Sequence, residues 1–498
     1  MVFGLFMAIM DVQIVTSSLT QIQGGLSASP DEISWVQTAY LIADVVMVPL
    51  SGTLSRLLST RVLFVGATLG FTAASALCAT ATSLSQMIFY RALQGFSGGA
   101  ITPTVFPVIY TKFRGPQLAT LMVLISVILN LSSTLGPTIG GFLTDALSWQ
   151  WLFLVNIVPG IAVAVTVWWL IDIDRPDRSL LRYFDIYGLV LMALFLGCLE
   201  YALEEGPRWD WLSDNTIFAA VIVSGTASVL FFWRVLTYHQ PIVDLRAFTN
   251  PNFAVGSFYT FVVGTGLYGA TYLVPLFLAQ VRGYSSWQIG QTVVVTGLAQ
   301  MAVSPFAAHI ARKLDLRIML GFGMGMFAFA MYLTASLTNQ AGFWELFLPQ
   351  VLRGIALMCC YLPANLIALG TLPQDKLKNA AGLYNLTRDL GGAIGLALLV
   401  TVMNNRLHFH WNRLIEHINP ARQAVQHFLE MQTSKLEALG TADPAHGAIK
   451  LLAGTVQREA LVLTYNDALM VLGVAFAFGL VLMPLVKNPR SALTADRH

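Results

Sequence analysis

Fourteen apolar segments, each long enough to cross a bilayer, constrain this chain more than any other feature of its sequence. A helix needs roughly 20 mostly apolar residues to span the hydrocarbon core. The segments therefore predict an all-α integral membrane protein with about fourteen transmembrane helices. They lie near residues 1–20, 33–54, 62–82, 86–109, 117–143, 150–171, 186–203, 216–237, 252–280, 287–310, 317–338, 343–372, 379–404 and 466–486.

The composition also points to a lipid environment. Only 11% of the 498 residues are charged, whereas soluble globular proteins carry about 25%. The mean hydropathy is +0.67, and charges this sparse cannot cover a water-facing surface. The net charge of +2 is too small to indicate binding to nucleic acid.

The distribution of Lys and Arg predicts the orientation of the helices. Loops rich in these residues stay in the cytoplasm, and the short odd-numbered connections carry only Arg208 and Arg282. We therefore expect both termini to be cytoplasmic and the protein to lie in the cell inner membrane. The even-numbered connections and the tail carry Arg56, Arg61, Lys112, Arg114, Arg175, Arg178, Arg182, Arg234, Arg246, Arg312, Lys313, Arg317, Lys376, Lys378, Lys487, Arg490 and Arg497.

The chain begins directly with an apolar helix. The run from Met1 to Met10 lacks the basic region and the cleavage site of a signal peptide, which leaves open an upstream cytoplasmic tail. Two connections are long: a basic cytoplasmic linker from Asp172 to Asp185, and an extracytoplasmic loop from about Asn405 to Tyr465. Within that loop, the stretch from Ala421 to Leu439 is amphipathic.

Cysteine and histidine give no prediction of a metal site or an enzyme. The four cysteines lie in apolar runs without zinc-ligand spacing, which is typical of buried structural residues. His408, His410 and His417 lie in the long loop, and we interpret them as solvated. A membrane-embedded enzyme or sensor is a remote alternative, because the histidines lie almost wholly outside the spans. The sequence contains no nucleotide-binding P-loop.

Three short patterns recur about 255–259 residues apart, in both halves of the chain. They predict two parallel six-helix units with helices 7 and 8 inserted between them, a 6+2+6 arrangement. Repeats of this kind place a substrate site at their interface, near the middle of the bilayer. The paired segments are Pro49–Arg56 with Pro305–Arg312, Arg91–Gly95 with Gln350–Gly354, and Leu135–Gly140 with Leu390–Gly395.

The repeat divides the chain into three predicted regions. Residues 1–171 form an N-terminal six-helix bundle. Residues 172–251 contain the cytoplasmic linker and the inserted helices 7 and 8. Residues 252–498 form a C-terminal six-helix bundle that includes the extracytoplasmic loop at about 405–465.

Ionisable residues within spans are candidates for function, because a charge at the centre of a membrane helix costs about 2.5–3.5 kcal/mol. Asp11 on helix 1, Asp44 on helix 2 and Arg91 on helix 4 share the N-terminal half. Burial favours the neutral acid and a nearby guanidinium favours the carboxylate, so such a group can bind and release a proton. We assign proton coupling to these three residues. A static ion pair between Asp44 and Arg91 is the alternative.

Other polar residues within the spans are candidates for a substrate cavity or for interhelical contacts. Glu200, on the inserted pair, favours a structural or snorkelling role. Arg388 and Asp389 are neighbours and diverge by roughly 100° around their helix, so we expect them to face different partners. The cavity candidates are Gln13, Tyr40, Gln94, Tyr268, Gln300, Tyr384, Asn385, Arg388 and Asp389.

A glycine-rich run on helix 5 predicts close helix packing. Glycines four residues apart let a neighbouring helix approach, and a proline removes a backbone hydrogen bond and bends the helix. Equivalent places in both halves carry the same glycine spacing, which suggests rocking contacts. The run contains Gly136, Pro137, Gly140 and Gly141, and the spacing recurs in Gly95 with Gly99 and in Gly391 with Gly395.

Over nearly its whole length, the chain resembles the major facilitator superfamily, and within it the fourteen-helix drug/proton antiporters of the EmrB type. Ile9–Val15 is similar to the family's helix 1 motif, whose aspartate is implicated in coupling. Arg91–Gly95 is similar to the helix 4 motif, whose arginine is associated with proton transfer. Gly136–Gly141 is similar to the helix 5 antiporter motif, and Asn385–Arg388 also fits the EmrB branch.

Three positions depart from the family pattern. Thr20 stands where a proline usually follows the helix 1 motif. Ser55 stands where an aspartate is typical, which puts the usual inter-domain salt bridge in doubt. Asp44 is an acid that the EmrB branch need not have, and it marks either a different substrate charge or an extra proton site.

The resemblance implies a function. It predicts a proton-coupled antiporter that exports amphipathic small molecules or drugs by alternating access, using the proton gradient and no cofactor. It also implies a role in antibiotic resistance, and a periplasmic adaptor and an outer-membrane channel as partners. The alternative is a dedicated exporter of one metabolite, such as a siderophore.

Overall fold

A computed structural model describes residues 1–29, 32–113, 116–373, 376–419 and 421–483, and within these ranges the regular structure is helical, with no strand. The predicted all-α class is confirmed. Among the basic residues that predict the orientation, Arg114, Lys487, Arg490 and Arg497 lie outside the described residues, and so does the side chain of Arg312.

The first six predicted segments form nine helices. Three of the six segments are split into two helices each, and the other three are continuous. The helices are α1 (Val2–Ser17), α2 (Leu19–Leu26), α3 (Trp35–Leu58), α4 (Thr60–Ala79), α5 (Leu84–Gly98), α6 (Ile101–Lys112), α7 (Pro116–Ala146), α8 (Trp151–Leu154) and α9 (Ile157–Leu170).

The remaining eight segments form eight helices, and the predicted loop at about 405–465 contributes one more, α17. The inserted pair is α10 and α11, and the second half begins at α12. The helices are α10 (Ile186–Glu205), α11 (Asn215–Thr237), α12 (Pro251–Gln280), α13 (Ser286–Lys313), α14 (Leu316–Thr334), α15 (Phe343–Leu369), α16 (Leu377–Glu416), α17 (Gln423–Ala438) and α18 (Pro444–Val481).

Two of the helix breaks follow from proline chemistry. A proline has no N–H with which to bond the carbonyl four residues earlier, and its ring crowds that carbonyl. Pro103 lies four residues after Gly99, where α5 passes into α6, and Pro159 lies four residues after Val155, where α8 passes into α9. Each proline therefore interrupts the helix, although the surrounding segment is apolar on both sides of the break.

Eleven helices in the described part of the chain are long and apolar enough to cross a membrane, with α8 and α9 counted together as Trp151–Leu170. The segment Val2–Thr16 forms a shorter apolar helix. Large apolar side chains remain exposed on these spans, including Trp169 (80%) and Leu236 (79%), as expected where lipid is the solvent. The chain is a multi-pass membrane protein, and the count of fourteen spans stays a prediction.

The two longest helices extend from predicted spans into the segment 405–465, where the sequence predicts a loop. α16 has 40 residues and α18 has 38, so each measures roughly 57–60 Å at 1.5 Å per residue. The hydrocarbon core is only about 30 Å thick, and both helices therefore extend far beyond it. Most of the segment 405–465 is helical, because polar residues continue both helices past their apolar portions.

The projecting helices are held together by α17 and by a polar cluster. α17 confirms the amphipathic stretch predicted at 421–439, and it packs against α18. Asp467 on α18 lies 2.8 Å from Nε2 of His410 and 3.0 Å from Nε of Arg406. His410 therefore has an acidic partner, whereas the sequence indicated a solvated side chain.

The helices pack as two groups that meet along two pairs of long helices. α3 packs against α16, and α7 packs against α13, so both pairs join the first half of the chain to the second. The inserted helix α10 packs against α11, α3 and α16. We call the end of the molecule that carries α17 the α17 end. The opposite end carries the connection 171–185, and we call it the linker end.

The two halves repeat one close contact. A Cβ added to Gly95 of α5 would overlap the carbonyl oxygen of Tyr40 on α3. A Cβ added to Gly354 of α15 would overlap the carbonyl oxygen of Thr296 on α13. Both glycines belong to the segments that the sequence pairs as repeats, so the same helix contact occurs at equivalent places in each half.

Candidate functional site

Asp11 and Arg91 form a fully buried ion pair between α1 and α5. Nη1 of Arg91 donates to Oδ2 of Asp11 at 2.7 Å, and both side chains are 0% exposed. Nε of Arg91 donates to the carbonyl oxygen of Val36 at 3.0 Å, and the guanidinium carbon lies 4.3 Å from the ring centroid of Tyr40. One arginine thus joins α1, α3 and α5.

Neutral polar side chains complete the hydrogen bonds of this pair. Oδ1 of Asp11 accepts from Nδ2 of Asn156 at 2.7 Å and from Nε2 of Gln94 at 3.0 Å. Gln94 also accepts from Nη1 of Arg91 at 2.7 Å and donates to Oγ of Ser75 at 2.8 Å. Asn156 and Ser75 were not among the residues predicted from the sequence. Their only signal was a polar residue within an apolar span.

Asp44 lies away from Arg91, in a second group that we call the interbundle cluster: Asp44 of α3, Tyr268 of α12, and Arg388 and Asp389 of α16. Asp44 is half-buried, and Asp389 and Arg388 are its charged neighbours. Arg91 pairs with Asp11, so the static Asp44–Arg91 pair of the sequence analysis is wrong. Asp44 instead faces charges of the other half of the chain.

Arg388 and Asp389 bind each other. Nε and Nη2 of Arg388 donate to Oδ1 of Asp389 at 3.0 and 2.9 Å, and the Tyr268 hydroxyl lies 3.4 Å from the same oxygen. The expectation that the two residues face different partners is wrong, because the long arginine side chain reaches around its own helix. The interbundle cluster therefore combines two acids, one guanidinium and one phenol at a contact between the two halves.

The other cavity candidates are distributed over several places. Gln13 of α1 lies against Gly136 of α7, where an added Cβ would overlap the glutamine side chain. Gln300 is buried on α13, and its Nε2 lies 3.9 Å from the sulfur of Met358. Tyr384 and Asn385 are buried on α16, and Nδ2 of Asn385 donates to the carbonyl oxygen of Ala381 at 2.8 Å. Roles in substrate binding stay predictions for all of them.

Most of the spaced glycines make contacts within one bundle, not between bundles. Gly99 faces the backbone of Asp44 on α3, and Gly395 faces Thr265 on α12. On α7, in contrast, Thr138 approaches Gly290 of α13 so closely that a Cβ added to Gly290 would overlap the threonine side chain. The glycine-rich run on α7, which is the fifth predicted span, therefore includes a contact between the two halves. It contains Gly136, Gly140 and Gly141, which are buried, and Pro137, whose side chain lies outside the described residues.

A set of contacts at the linker end, the linker clamp, joins three parts of the chain through Asp174, Lys378 and Thr60. Nζ of Lys378 on α16 pairs with the carboxylate of Asp174 in the linker. The same carboxylate accepts from the backbone N–H of Thr60, at the start of α4, at 3.1 Å. Lys378 also donates to the carbonyl oxygen of Ser55 at 3.4 Å. Asp174 thus places a carboxylate near Ser55, the position at which an aspartate is typical of the family.

A cavity of about 340 Å³ opens at the α17 end, between the inserted pair and the second half. Glu204, Pro207 and Arg208 line it from α10 and the turn that follows. Tyr272 of α12 and Asn404 of α16 line the opposite wall. Nδ2 of Asn404 donates to the carbonyl oxygen of Pro207 at 2.9 Å, which closes one side of the cavity.

Comparisons with known proteins agree with this architecture. A model of the Major Facilitator Superfamily matches residues 1–396. The chain is 39% identical over 474 residues to the colistin resistance protein EmrB of Acinetobacter baumannii, covering 95% of this chain and 92% of that protein. It is 30% identical over 493 residues to the multidrug export protein EmrB of Escherichia coli, covering 98% and 94%.

A solved structure shares the fold at low sequence identity. The proton:xylose symporter XylE superimposes with a TM-score of 0.60 at 10% identity, over 97% of this chain and 93% of that one. Two bundles joined by α3 with α16 and α7 with α13, a family model over most of the chain, and full-length relatives lead to one assignment. The chain belongs to the Major Facilitator Superfamily, a family of transporters, and groups there with the EmrB-type proteins.

Proposed function

We propose that this chain is a proton-coupled secondary exporter of amphipathic small molecules or drugs that works by alternating access. The observation that carries the proposal is the buried Asp11–Arg91 pair, because a buried carboxylate held by one fixed cation changes its contacts when it binds a proton. The names of the two relatives, a multidrug export protein and a colistin resistance protein, support export as the direction of transport.

Protonation of Asp11 would change how three helices are held. The ionised carboxylate accepts from Arg91, Gln94 and Asn156, and a proton removes its charge while Arg91 stays charged. Arg91 then keeps the carbonyl oxygen of Val36 and the ring of Tyr40 as its partners on α3. Proton binding thus shifts the arginine from α1 toward α3, a helix that also contacts the second half.

The proton gradient alone can supply the free energy. One proton crossing a difference of one pH unit releases about 1.4 kcal/mol, which corresponds to a tenfold concentration ratio of an uncharged cargo per proton. The mechanism therefore requires no cofactor, and the contacts of α3 with α16 and of α7 with α13 are the surfaces that move.

The orientation and the partners are part of the proposal. We place the linker end and both termini in the cytoplasm, because Lys and Arg accumulate in the connections at that end. The α17 end then faces the periplasm of a two-membrane bacterium, with the protein in the inner membrane. The projecting parts of α16 and α18, together with α17, offer a surface to a periplasmic adaptor, which would lead cargo to an outer-membrane channel.

Transport in proteoliposomes tests the coupling. Ethidium, a lipophilic cation, and Nile red, an uncharged hydrophobe, serve as probes under an imposed difference of one pH unit. We expect the wild type to accumulate at least one probe, and Asp11→Asn and Asp44→Asn to lose most of the dependence on the gradient. Glu437→Gln, an exposed position on α17, is the matched control and keeps it. Normal gradient-driven export by Asp11→Asn would refute the proposal.

The range of cargo distinguishes the proposal from a dedicated exporter. A strain that lacks the gene is compared with its parent for sensitivity to a panel of amphipathic antibiotics and dyes. We expect increased sensitivity to several unrelated compounds. A defect limited to the secretion of one metabolite would favour the dedicated exporter instead.

A further inference from the structure

The inserted helix α10 carries two glutamates on one face. Glu200 and Glu204 are four residues apart, so they are neighbours on the helix surface, with about 5–6 Å between their Cβ atoms. The sequence favoured a structural or snorkelling role for Glu200. The structure places it inside the protein, with only 5% of the residue exposed, which argues against snorkelling and leaves a structural role as the alternative.

Glu200 lies where the inserted pair meets both bundles. Gly197, one turn earlier on α10, faces α3, since an added Cβ would lie in ordinary van der Waals contact with Ile42, at 3.4 Å. α10 also packs against α16. The charged groups that act on Glu200 are Glu204 of α10 itself, Asp44 of α3 and Asp389 of α16.

The remaining charged groups around this position are accounted for. Arg388 of α16 is held by Asp389. Helix α11 also packs on α10, and its charged residue Arg234 lies near its last turn, where Nε pairs with Asp185 at 3.1 Å. The charged groups that act on Glu200 are therefore acids, and the guanidinium of the interbundle cluster is already paired. Arg208, at the cavity that Glu204 lines, donates from Nη1 to Oγ of Ser34 at 3.0 Å.

Among the described residues, the carboxylate of Glu200 has no hydrogen bond and no ion pair, and its oxygens are not fully closed off from solvent, although only 5% of the residue is exposed. Its neighbour Glu205, also buried, shows the contrasting case: it accepts from the hydroxyl of Thr38 and from the indole N–H of Trp209, both at 3.2 Å. A carboxylate that is largely removed from water and has no partner is less favourable when ionised than it is in bulk water. Binding of a proton neutralises the carboxylate and removes that cost, so the site is suited to bind a proton.

Glu204 connects this buried position to solvent at the α17 end. It lines the 340 Å³ cavity together with Tyr272 and Asn404. Three levels of carboxylates therefore follow one another from the cavity inward: Glu204, then Glu200, then Asp44 with Asp389. Proton transfer needs groups in hydrogen-bond contact directly or through one water, and the one-turn spacing of Glu204 and Glu200 suits the second case. Asp44 and Asp389 lie on α3 and α16, the two helices of the bundles that pack against α10.

We infer that Glu200 is a proton-binding residue that relays protons from the α17-end cavity, through Glu204, to Asp44 and Asp389 of the interbundle cluster. At each step an O–H bond breaks at the donor carboxyl and forms at the acceptor carboxylate, and one proton moves inward with no other change in bonding. The inference rests on the proposed function. It gives the inserted helix pair a role in coupling and sets it apart from the Asp11–Arg91 pair.

The test compares three variants with the wild type in proteoliposomes that contain a trapped pH-sensitive dye, with ethidium and Nile red as cargo. Two activities are measured: accumulation driven by the pH gradient, and exchange of labelled for unlabelled cargo with no gradient. For Glu200→Gln we expect accumulation and cargo-driven proton flux to fall at least tenfold, while exchange stays within twofold. Glu200→Asp, which keeps an acid, retains part of the coupling. Glu205→Gln, the buried control on the same helix, resembles the wild type.

The outcomes separate the relay from the proposed function. If the wild type is driven by the gradient and Glu200→Gln accumulates cargo equally well, the relay is refuted and the proposed function stands. Equal losses of exchange and accumulation would also refute the relay, because Glu200 would then serve cargo binding or folding. A wild type that ignores the pH gradient would overturn both.

Discussion

At Gly95 the packing leaves no room for a side chain. An added Cβ would overlap the carbonyl oxygen of Tyr40, which belongs to the backbone and cannot rotate away. Gly391 has the same relation to the carbonyl oxygen of Phe261 on α12. Each glycine therefore sets the distance between two helices of one bundle, and the position of Tyr40 beside Arg91 depends on the first of them.

Alanine at either glycine should destabilise the protein by about 1–3 kcal/mol, the typical cost of overpacking. Thermal unfolding of the detergent-purified protein, followed by fluorescence-detected gel filtration, measures the effect. Gly66→Ala and Gly225→Ala are matched controls, because an added Cβ meets nothing within 4 Å at either position. We expect these controls to melt at or slightly above the wild-type temperature. Identical melting of all four variants would contradict the role of close packing.

Arg91→Lys tests whether the shape of the guanidinium matters as well as its charge. The arginine reaches Asp11 with one nitrogen and Val36 with another, and its plane lies over Tyr40. An ammonium is a point charge that cannot make these contacts together. We expect gradient-driven transport to fall at least tenfold. Arg282→Lys, at an exposed position, should leave it unchanged, and full activity of Arg91→Lys would show that charge alone suffices.

The sequence predicted the charged members of the site better than its neutral members or its pairings. Asp11 and Arg91 were found because charges within apolar spans are costly and therefore rare. Asn156 was missed because a neutral amide in a span is an ordinary feature. Asp44 was assigned to Arg91 because the sequence does not show which helices face each other. Its neighbours, Arg388 and Asp389, depend on the packing of α3 against α16.

Among the elements, the linker between α9 and α10 does more than connect the two bundles. Its Asp174 binds the start of α4 and Lys378 of α16, so one carboxylate fastens the first half of the chain to the second at the linker end. The side chains of Lys378 and Asp174 are 22% and 18% exposed, so water screens their attraction only in part.

Asp174→Asn should weaken the linker clamp and favour conformations that are open at the linker end, by about fivefold in population for a contribution near 1 kcal/mol. Spin labels at Leu58 and Thr371, in a variant whose native cysteines are replaced by alanine, report the separation of the halves. Asp172→Asn is the matched control, since that exposed carboxylate lies 4.0 Å from Arg61. Unchanged distance distributions in Asp174→Asn would show that the clamp does not set the conformation.

Hydropathy predicted the helices and missed some of their ends. Each apolar segment coincides with helix, because the segments that need lipid are those that hydropathy detects. Beyond residue 404 and before residue 466, the helices continue with polar residues, which hydropathy reads as a loop. The interruptions at Gly99 and Val155 carried a usable signal in Pro103 and Pro159. An apolar sequence on both sides of each break concealed it.

At the scale of the whole molecule, the proposed adaptor surface on α17 can be tested separately from transport itself. None of its residues is buried, so its removal should cost little stability. We expect a variant in which residues 417–443 are replaced by a short Gly–Ser linker to accumulate cargo normally in proteoliposomes but to confer no resistance in cells, because an adaptor could no longer bind. A shuffled, equally charged α17 sequence is the control for length. Resistance equal to the wild type would argue against this surface as the adaptor contact.

The length of α16 and α18 has a mechanical consequence. About 30 Å of α16 lies beyond the hydrocarbon core, since 40 residues measure about 60 Å and the core takes about 30 Å. A rigid rod that pivots within the membrane moves its far tip by roughly 0.5 Å for each degree of tilt over that length. Rocking by roughly ten degrees would therefore displace the tip by about 5 Å, one helical turn. We therefore expect the projecting ends of α16 and α18 to convert small rotations inside the bilayer into larger displacements at the surface proposed for an adaptor.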